Sequence, residues 1–243
     1  MTVTKRHDHL RCILLCIVAL VSTFVWAQAE SRESTDDVHV RIQFPKSHPH
    51  EHAAPVVLWL KPFPGTPSQT FLPNGRYTLL QKNRMFTPHL LIVPIGSEVH
   101  FPNADPFFHN VFSLFNGKRF DLGLYESGTD KEVMFSREGV SYIFCNIHPE
   151  MSAVILVLST PFYATAKSDG TLSIHGVPPG DYEMHVWIEG LPQPTLDQLT
   201  RRVQIPAGGA DLGVVDASET PLKPAGHLNK FGQPYDRDSK PTY

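Results

Sequence analysis

The amino-acid sequence predicts an all-β chain of two sandwiches, and three observations carry this. No stretch of about twelve residues sustains the i, i+3, i+4, i+7 apolar pattern of an amphipathic helix. Proline, present 22 times among 243 residues, recurs throughout. Short runs rich in β-branched and aromatic residues alternate with turn signals. In order, the runs cover 38–42, 56–60, 77–80, 90–94, 98–101, 111–115, 133–135, 141–145, 153–158, 163–166, 171–174, 182–188 and 202–205. Asn74-Gly75, Ile95-Gly96, Asn116-Gly117, Glu138-Gly139, Asp169-Gly170 and Pro178-Pro179-Gly180 separate them. Glycine and asparagine supply the left-handed backbone that such turns need. About thirteen short strands exceed what one sandwich uses, so two are expected.

The first 29 residues stand outside this pattern. Lys5, Arg6 and Arg11 precede an apolar run from Cys12 to Val21, and the small-residue site Ala27-Gln28-Ala29 follows. This is the layout of a secretory signal peptide spanning 1–29. The apolar run is shorter than the roughly 18 residues a membrane span needs and is interrupted by Ser22 and Thr23, so an uncleaved anchor is disfavoured. Cleavage removes Cys12 and Cys16 and leaves Cys145 as the one thiol. A lone thiol in an oxidising compartment has no internal partner, so something is expected to occupy or shield it.

The composition excludes several classes. A formal charge of −3 offers no basic field for a phosphate backbone, so no nucleic-acid partner is expected. Loss of Lys5, Arg6, Arg11 and Asp8 makes the remainder slightly more acidic. Glu30 to Asp37 and the tail, residues 216–243, are polar, lack periodicity and read as flexible ends. His48, His50 and His52 read as a solvated loop rather than a metal site.

The chemistry is concentrated in Tyr142-Ile143-Phe144-Cys145-Asn146-Ile147-His148-Pro149-Glu150-Met151. Cys, His and Met at positions 0, +3 and +6 let one loop after a strand offer a thiolate, an imidazole and a thioether. Upstream, Phe107-Phe108-His109-Asn110-Val111 opens another strand, and His109 completes a His₂CysMet set. Soft sulfur donors favour Cu(I), two imidazoles also satisfy Cu(II), and a trigonal His₂Cys plane with a weak axial Met suits both. Structural zinc sites use more Cys and no Met, so zinc is disfavoured. Phe101, Phe107, Phe108, Phe112 and Phe144 are placed to exclude water, although each alone reads as core.

Gly96-x4-Phe101-Pro102-Asn103-x-Asp105, His109-Asn110-Val111 and Cys145-x2-His148-x2-Met151 together resemble the cupredoxins, the plastocyanin and azurin group. The nearest resemblance is to the plastocyanin-like domain of bacterial proteins labelled methylamine utilization proteins, over about Tyr77 to Ser159. The resemblance implies a Greek-key sandwich and one copper ion per chain. It makes His109, Cys145 and His148 the equatorial ligands and Met151 the axial one. It also implies that Asn110 ties its loop to the cysteine loop. Only Pro149 and Glu150 separate His148 from Met151, fewer than plastocyanin-like loops usually have. Glu150 or water therefore stands as an alternative axial donor. The His-x2-Met spacing resembles the dinuclear copper domain of cytochrome oxidase, but that site needs a second Cys. Neither His89 nor His100 fits a ligand slot as well.

A second resemblance lies in Asp169-Gly170-Thr171-Leu172, Pro178-Pro179-Gly180-Asp181-Tyr182 and the strand ending in Trp187. These are similar to the carboxypeptidase regulatory or transthyretin-like sandwich. About fifty residues are too few for that fold, and Ala54-Pro55-Val56-Val57-Leu58-Trp59-Leu60 resembles its early strands. The expected organisation is a split sandwich, residues 38–70 with 160–207, into which the copper domain is inserted. The corresponding domains are 30–75, 76–159 and 160–215, followed by the tail.

The expected function is single-electron transfer by an exported, periplasmic or secreted, bacterial type 1 (blue) copper protein. Its partner would be a redox protein such as a cytochrome or periplasmic oxidoreductase. No catalytic motif is visible, so an enzyme is not expected, and neither is a membrane span after cleavage. The alternative is copper handling by a chaperone, sensor or storage protein that passes no electrons.

Overall fold

The computed structural model describes residues 36–44, 54–114, 117–217 and 227–235. The signal segment and the His48, His50 and His52 stretch lie outside the described residues. β1 (Val38–Gln43) buries Val38, Val40 and Ile42 and exposes the residues between them, the period of two expected of a strand with one covered face. β2 (Val56–Pro62) is more continuously apolar and more fully buried. Then follow β3 (Tyr77–Thr78), β4 (Leu80–Lys82), β5 (Met85–Thr87), β6 (Leu90–Pro94), β7 (Ser97–His100), β8 (His109–Ser113), β9 (Phe120–Tyr125), β10 (Glu132–Phe135), β11 (Gly139–Cys145) and β12 (Ser152–Leu158). The C-terminal part contributes β13 (Tyr163–Thr165), β14 (Thr171–Ile174), β15 (Gly180–Ile188), helix α1 (Gln193–Leu199), β16 (Arg201–Ile205) and β17 (Ala210–Asp216). The described chain is nearly all β.

The two N-terminal strands pair with C-terminal ones. β1 lies between β14, antiparallel, and β17, parallel. β2 lies between β13 and β15, with Trp59 opposite both Tyr163 and His185, and β16 extends that sheet. At the turn between β13 and β14, Gly170 has φ +80°, and a Cβ there would stand 2.3 Å from the Ile42 carbonyl oxygen. Only glycine permits both that backbone and that approach. The Ile42 N–H donates to the Gly170 carbonyl at 2.8 Å.

Residues 77–158 form their own sheets. One has the order β6-β12-β11-β8-β9, with β12 parallel to β6 and the other neighbours antiparallel. A second has the order β10-β7-β3, and β4 and β5 pair as a two-stranded hairpin. Leu79, Val99, Phe101, Val133 and Phe135 meet Val93, Val111, Ile143, Cys145 and Ile155 in one apolar core. β12 takes part in two cores. Ala153, Ile155 and Val157 belong to this one, whereas Val154, Leu156 and Leu158 pack with residues of β1, β2, β14 and β15. Its run Ala-Val-Ile-Leu-Val-Leu is buried throughout, as a strand covered on both faces must be.

The sequence pattern does not display β5, β9, β17 or α1. β9 and β17 each carry a left-handed glycine, Gly123 and Gly213, and show little regular alternation. The helix has seven residues, a proline in its first turn and only Leu196 buried, too short to establish a helical period. Among the described residues, no helix is long and apolar enough to cross a membrane.

Candidate metal centre

Strand register brings the predicted ligands together. Cys145, the last residue of β11, faces Val111 of β8. His109 lies two residues before Val111, so it shares that face with Cys145. The loop from 146 to 151 then turns back into β12. The Met151 N–H donates to the His148 carbonyl at 3.1 Å, the Cys145 N–H to the Met151 carbonyl at 3.1 Å, and the Asn146 N–H to the Asn110 carbonyl at 2.9 Å. These bonds close the loop over the end of the sheet and direct His148 back toward the thiol.

The result is a buried His-Cys-His group. His109 Nδ1 and His148 Nδ1 are each 3.6 Å from Cys145 Sγ, and the two imidazole centroids are 4.9 Å apart. Metal–thiolate and metal–imidazole bonds of about 2.3 and 2.0 Å, opened at trigonal to tetrahedral angles, place sulfur and nitrogen about 3.5–3.8 Å apart. The observed separations fit one first-row ion. Phe107 closes the side, its ring 5.3 Å from that of His109 and 5.6 Å from that of His148. His109 and Cys145 are fully buried, and His148 is 8% exposed, so the imidazole of His148 is the member of the trio nearest solvent.

The electrostatics suit a metal rather than free titration. Burial pushes the Cys145 thiol up, while backbone N–H groups of Asn110, Ile147 and His148 at the sulfur pull it down. The net direction is upward, so binding a metal as thiolate must release the thiol proton, and affinity is expected to rise with pH. Burial lowers both imidazoles, and His148 falls to about 4, with the nearby His109 and Arg84 adding to the effect. Both rings are therefore neutral at pH 7 and able to coordinate.

That depression has a sign for stability. The folded pKa of His148 lies below its ordinary 6.5, so its contribution is intact above pH 6.5 and is lost as pH falls toward 4. The metal-free protein is expected to lose thermal stability across that window, and His148→Gln to flatten the profile. Melting temperature against pH checks this; an unchanged slope in the variant contradicts it.

Asp105, 3% exposed, accepts from His109 Nε2 at 2.9 Å, from the Asn83 N–H at 2.6 Å and from the Arg84 N–H at 2.9 Å. Burial alone would raise its carboxyl, but the Arg84 N–H, the imidazole and the Asn83 N–H hold it below the usual range. Met151 is completely buried in the same core as Cys145. Asn110 makes two sets of contacts. Its backbone makes the links to the cysteine loop, whereas its side-chain amide donates to Asp121 at 2.6 Å and to the Gly123 carbonyl at 3.1 Å, anchoring β9.

Within the tail, the described residues 227–235 make contacts that a flexible end does not lead one to expect. Residues 227–235 are seated against the cysteine loop. Tyr235 Oη donates to the Cys145 carbonyl at 2.7 Å, the Lys230 N–H to Asn146 Oδ1 at 2.8 Å, and the His227 ring stacks on Phe144 at 4.2 Å. Irregular contacts of this kind leave no periodic signal in the sequence.

His89 and His100 lie elsewhere in the fold. His89 pairs with Glu189 at 2.8 Å, and His100 with Asp130 at 3.1 Å. Glu98, His100 and Glu132 form a second cluster, but an exposed one in which carboxylates already neighbour both imidazole nitrogens.

Comparison with known proteins adds the following. A family model described as polysaccharide lyase family 4, domain II, matches residues 158–211. No curated protein matches the sequence. Among solved structures, a purple cupredoxin from Nitrosopumilus maritimus is 26% identical, over 35% of this chain and 100% of that one, with a TM-score of 0.31. A Cu-containing nitrite reductase from Thermus scotoductus is 20% identical, over 48% of this chain and 28% of that one, with a TM-score of 0.34. An oxidised amicyanin mutant is 17% identical, over 38% and 96%, with a TM-score of 0.33.

Proposed function

We propose that this chain is an exported single-electron carrier in which His109, Cys145 and His148 would hold one copper ion, with Met151 as a further, weaker donor. The observation that carries the reading is the buried trio itself: one thiol and two imidazoles, with both Nδ1 atoms 3.6 Å from Sγ. A site with one soft and two borderline donors satisfies both oxidation states of copper. When bound, copper supplies a one-electron couple. The chain's own residues do the rest. β8 and β11 fix His109 and Cys145 on rigid backbone, amide N–H groups stabilise the thiolate, and Phe107 keeps water from the imidazoles. His148, nearest solvent, is where a redox protein such as a cytochrome would dock.

The remaining parts of this reading follow from the sequence. Cleavage after Ala29 would deliver the mature chain to the periplasm or exterior, where its one thiol is protected by metal. Residues 30–75 and 160–215 would form one sandwich interrupted by the copper domain, 76–159, and would serve as a docking or spacing module. The chain would carry electrons rather than catalyse a reaction.

The test separates this reading from copper handling. Copper-loaded protein is placed on an electrode and, separately, against an excess of a Cu(I) chelator. A reversible one-electron wave with slow metal loss is expected. Rapid transfer of copper to the chelator, with no reversible wave, would overturn the reading in favour of a copper chaperone or store.

A further inference from the structure

The hairpin of β4 and β5 places an anion-binding turn directly behind the metal centre. Asn83 and Arg84, its two turn residues, have φ of 56° and 57°, the left-handed pair that a two-residue hairpin requires. Asparagine accepts this conformation readily, whereas arginine does so at a cost. The turn thereby aims two successive N–H groups at Asp105, and consecutive amides pointing one way favour a negative charge. Asn103 supports the carboxylate from its own segment, where its Oδ1 accepts the Asp105 N–H at 3.0 Å. The remaining strong contact of Asp105 is His109 Nε2. Arg84 also covers Phe107, its guanidinium 5.1 Å from the ring, so the same turn backs the aromatic ring that flanks both imidazoles.

We propose that Asp105, held by the Asn83-Arg84 turn, is a positioning residue that fixes His109 with Nδ1 toward the metal and biases the centre toward its oxidised state. A carboxylate accepting from Nε2 requires the proton to be on Nε2, which leaves the Nδ1 lone pair facing Cys145 Sγ. An ionised acceptor also makes the imidazole more electron-rich, and the more highly charged metal ion gains more from that. The inference rests on the copper reading above, because a bias between oxidation states needs a redox-active ion.

The experiment has two arms. In the first, Asp105→Asn is loaded with copper, and its midpoint potential, Cu(I) affinity and Cu(II) affinity are compared with those of the full-length-derived mature protein. Loss of an outer-shell partner typically costs about 10–100-fold in metal affinity. The expected result is that this loss falls mainly on Cu(II), with the thiolate-to-copper band retained. The potential then rises by about 59 mV for each tenfold change in the Cu(II)/Cu(I) affinity ratio. Equal weakening of both ions with an unchanged potential would mean that Asp105 only supports the fold, and would overturn the proposal.

The second arm needs no variant. Long-range proton–nitrogen NMR of the metal-free wild-type protein at neutral pH is expected to show His109 as the Nε2–H tautomer. The Nδ1–H tautomer would overturn the proposal even if Asp105→Asn fails to fold. Failure of the copper reading is visible separately, as a wild-type protein without a thiolate-to-copper band, and leaves the tautomer arm decisive for the placement of His109.

Discussion

Cys145→Ser is expected to abolish the intense visible absorption of the copper-loaded protein and to weaken copper binding by more than the roughly 100-fold that losing an outer-shell partner costs. The thiolate is the one soft anionic donor in the His-Cys-His group, and a hydroxyl at neutral pH neither deprotonates readily nor favours Cu(I). The effect should be asymmetric. Two imidazoles remain, so residual Cu(II) binding is expected to persist as a pale, harder site, whereas Cu(I) binding should suffer most. The substitution also buries a hydroxyl at a fully buried position, at a cost of about 1–3 kcal/mol. Melting curves, visible spectra and competition with Cu(I) and Cu(II) chelators separate these consequences. Undiminished Cu(I) affinity in the variant would contradict the assignment.

The second large effect is expected from two consecutive residues of β12. Leu156→Ala and Ile155→Ala each remove a buried side chain, at a cost of about 2–5 kcal/mol. For a protein of this size that corresponds to about 2–4 °C per kcal/mol in melting temperature. Their functional signatures should differ, because the pleat sends them to opposite faces. Leu156 packs in the core shared with β1, β2 and β15, so its loss should destabilise the protein while leaving the copper spectrum intact. Ile155 shares its core with Cys145 and Met151, so its loss should also speed copper release. The check is chelator-driven release measured beside thermal unfolding for both variants. Equal release rates at equal destabilisation would contradict a division of labour between the two faces.

Much of this architecture was legible in the residues, for identifiable reasons. β1, β2, β12 and β15 announce themselves because burial on one or both faces forces an alternating or continuous apolar run. The buried His-Cys-His group was legible because Cys145 and His148 are of the few residue types able to bind soft or borderline ions, spaced within one loop. The function of Asp105 was not legible, although it stands four residues before His109. Its role depends on a hairpin turn more than twenty residues away whose backbone, not its side chains, makes the contacts. The seat of residues 227–235 on the cysteine loop was hidden for a similar reason. Its contacts are a tyrosine hydroxyl to a carbonyl and one histidine ring on a phenylalanine, which impose no period on the chain. Asn110 stands where the resemblance places it: its backbone carbonyl accepts from the Asn146 N–H of the cysteine loop, while its side-chain amide secures β9, a contact the sequence does not display.

The central claim is that His109, Cys145 and His148 bind one copper ion together. Its most direct test is a Cu(II) titration of the mature protein followed by visible absorption and electron paramagnetic resonance. The account predicts an intense thiolate-to-copper band that saturates at one equivalent, with the narrow hyperfine splitting of a copper ion covalently bound to sulfur. A protein that stays colourless through one equivalent, or shows only the weak bands of nitrogen and oxygen ligation, would contradict it.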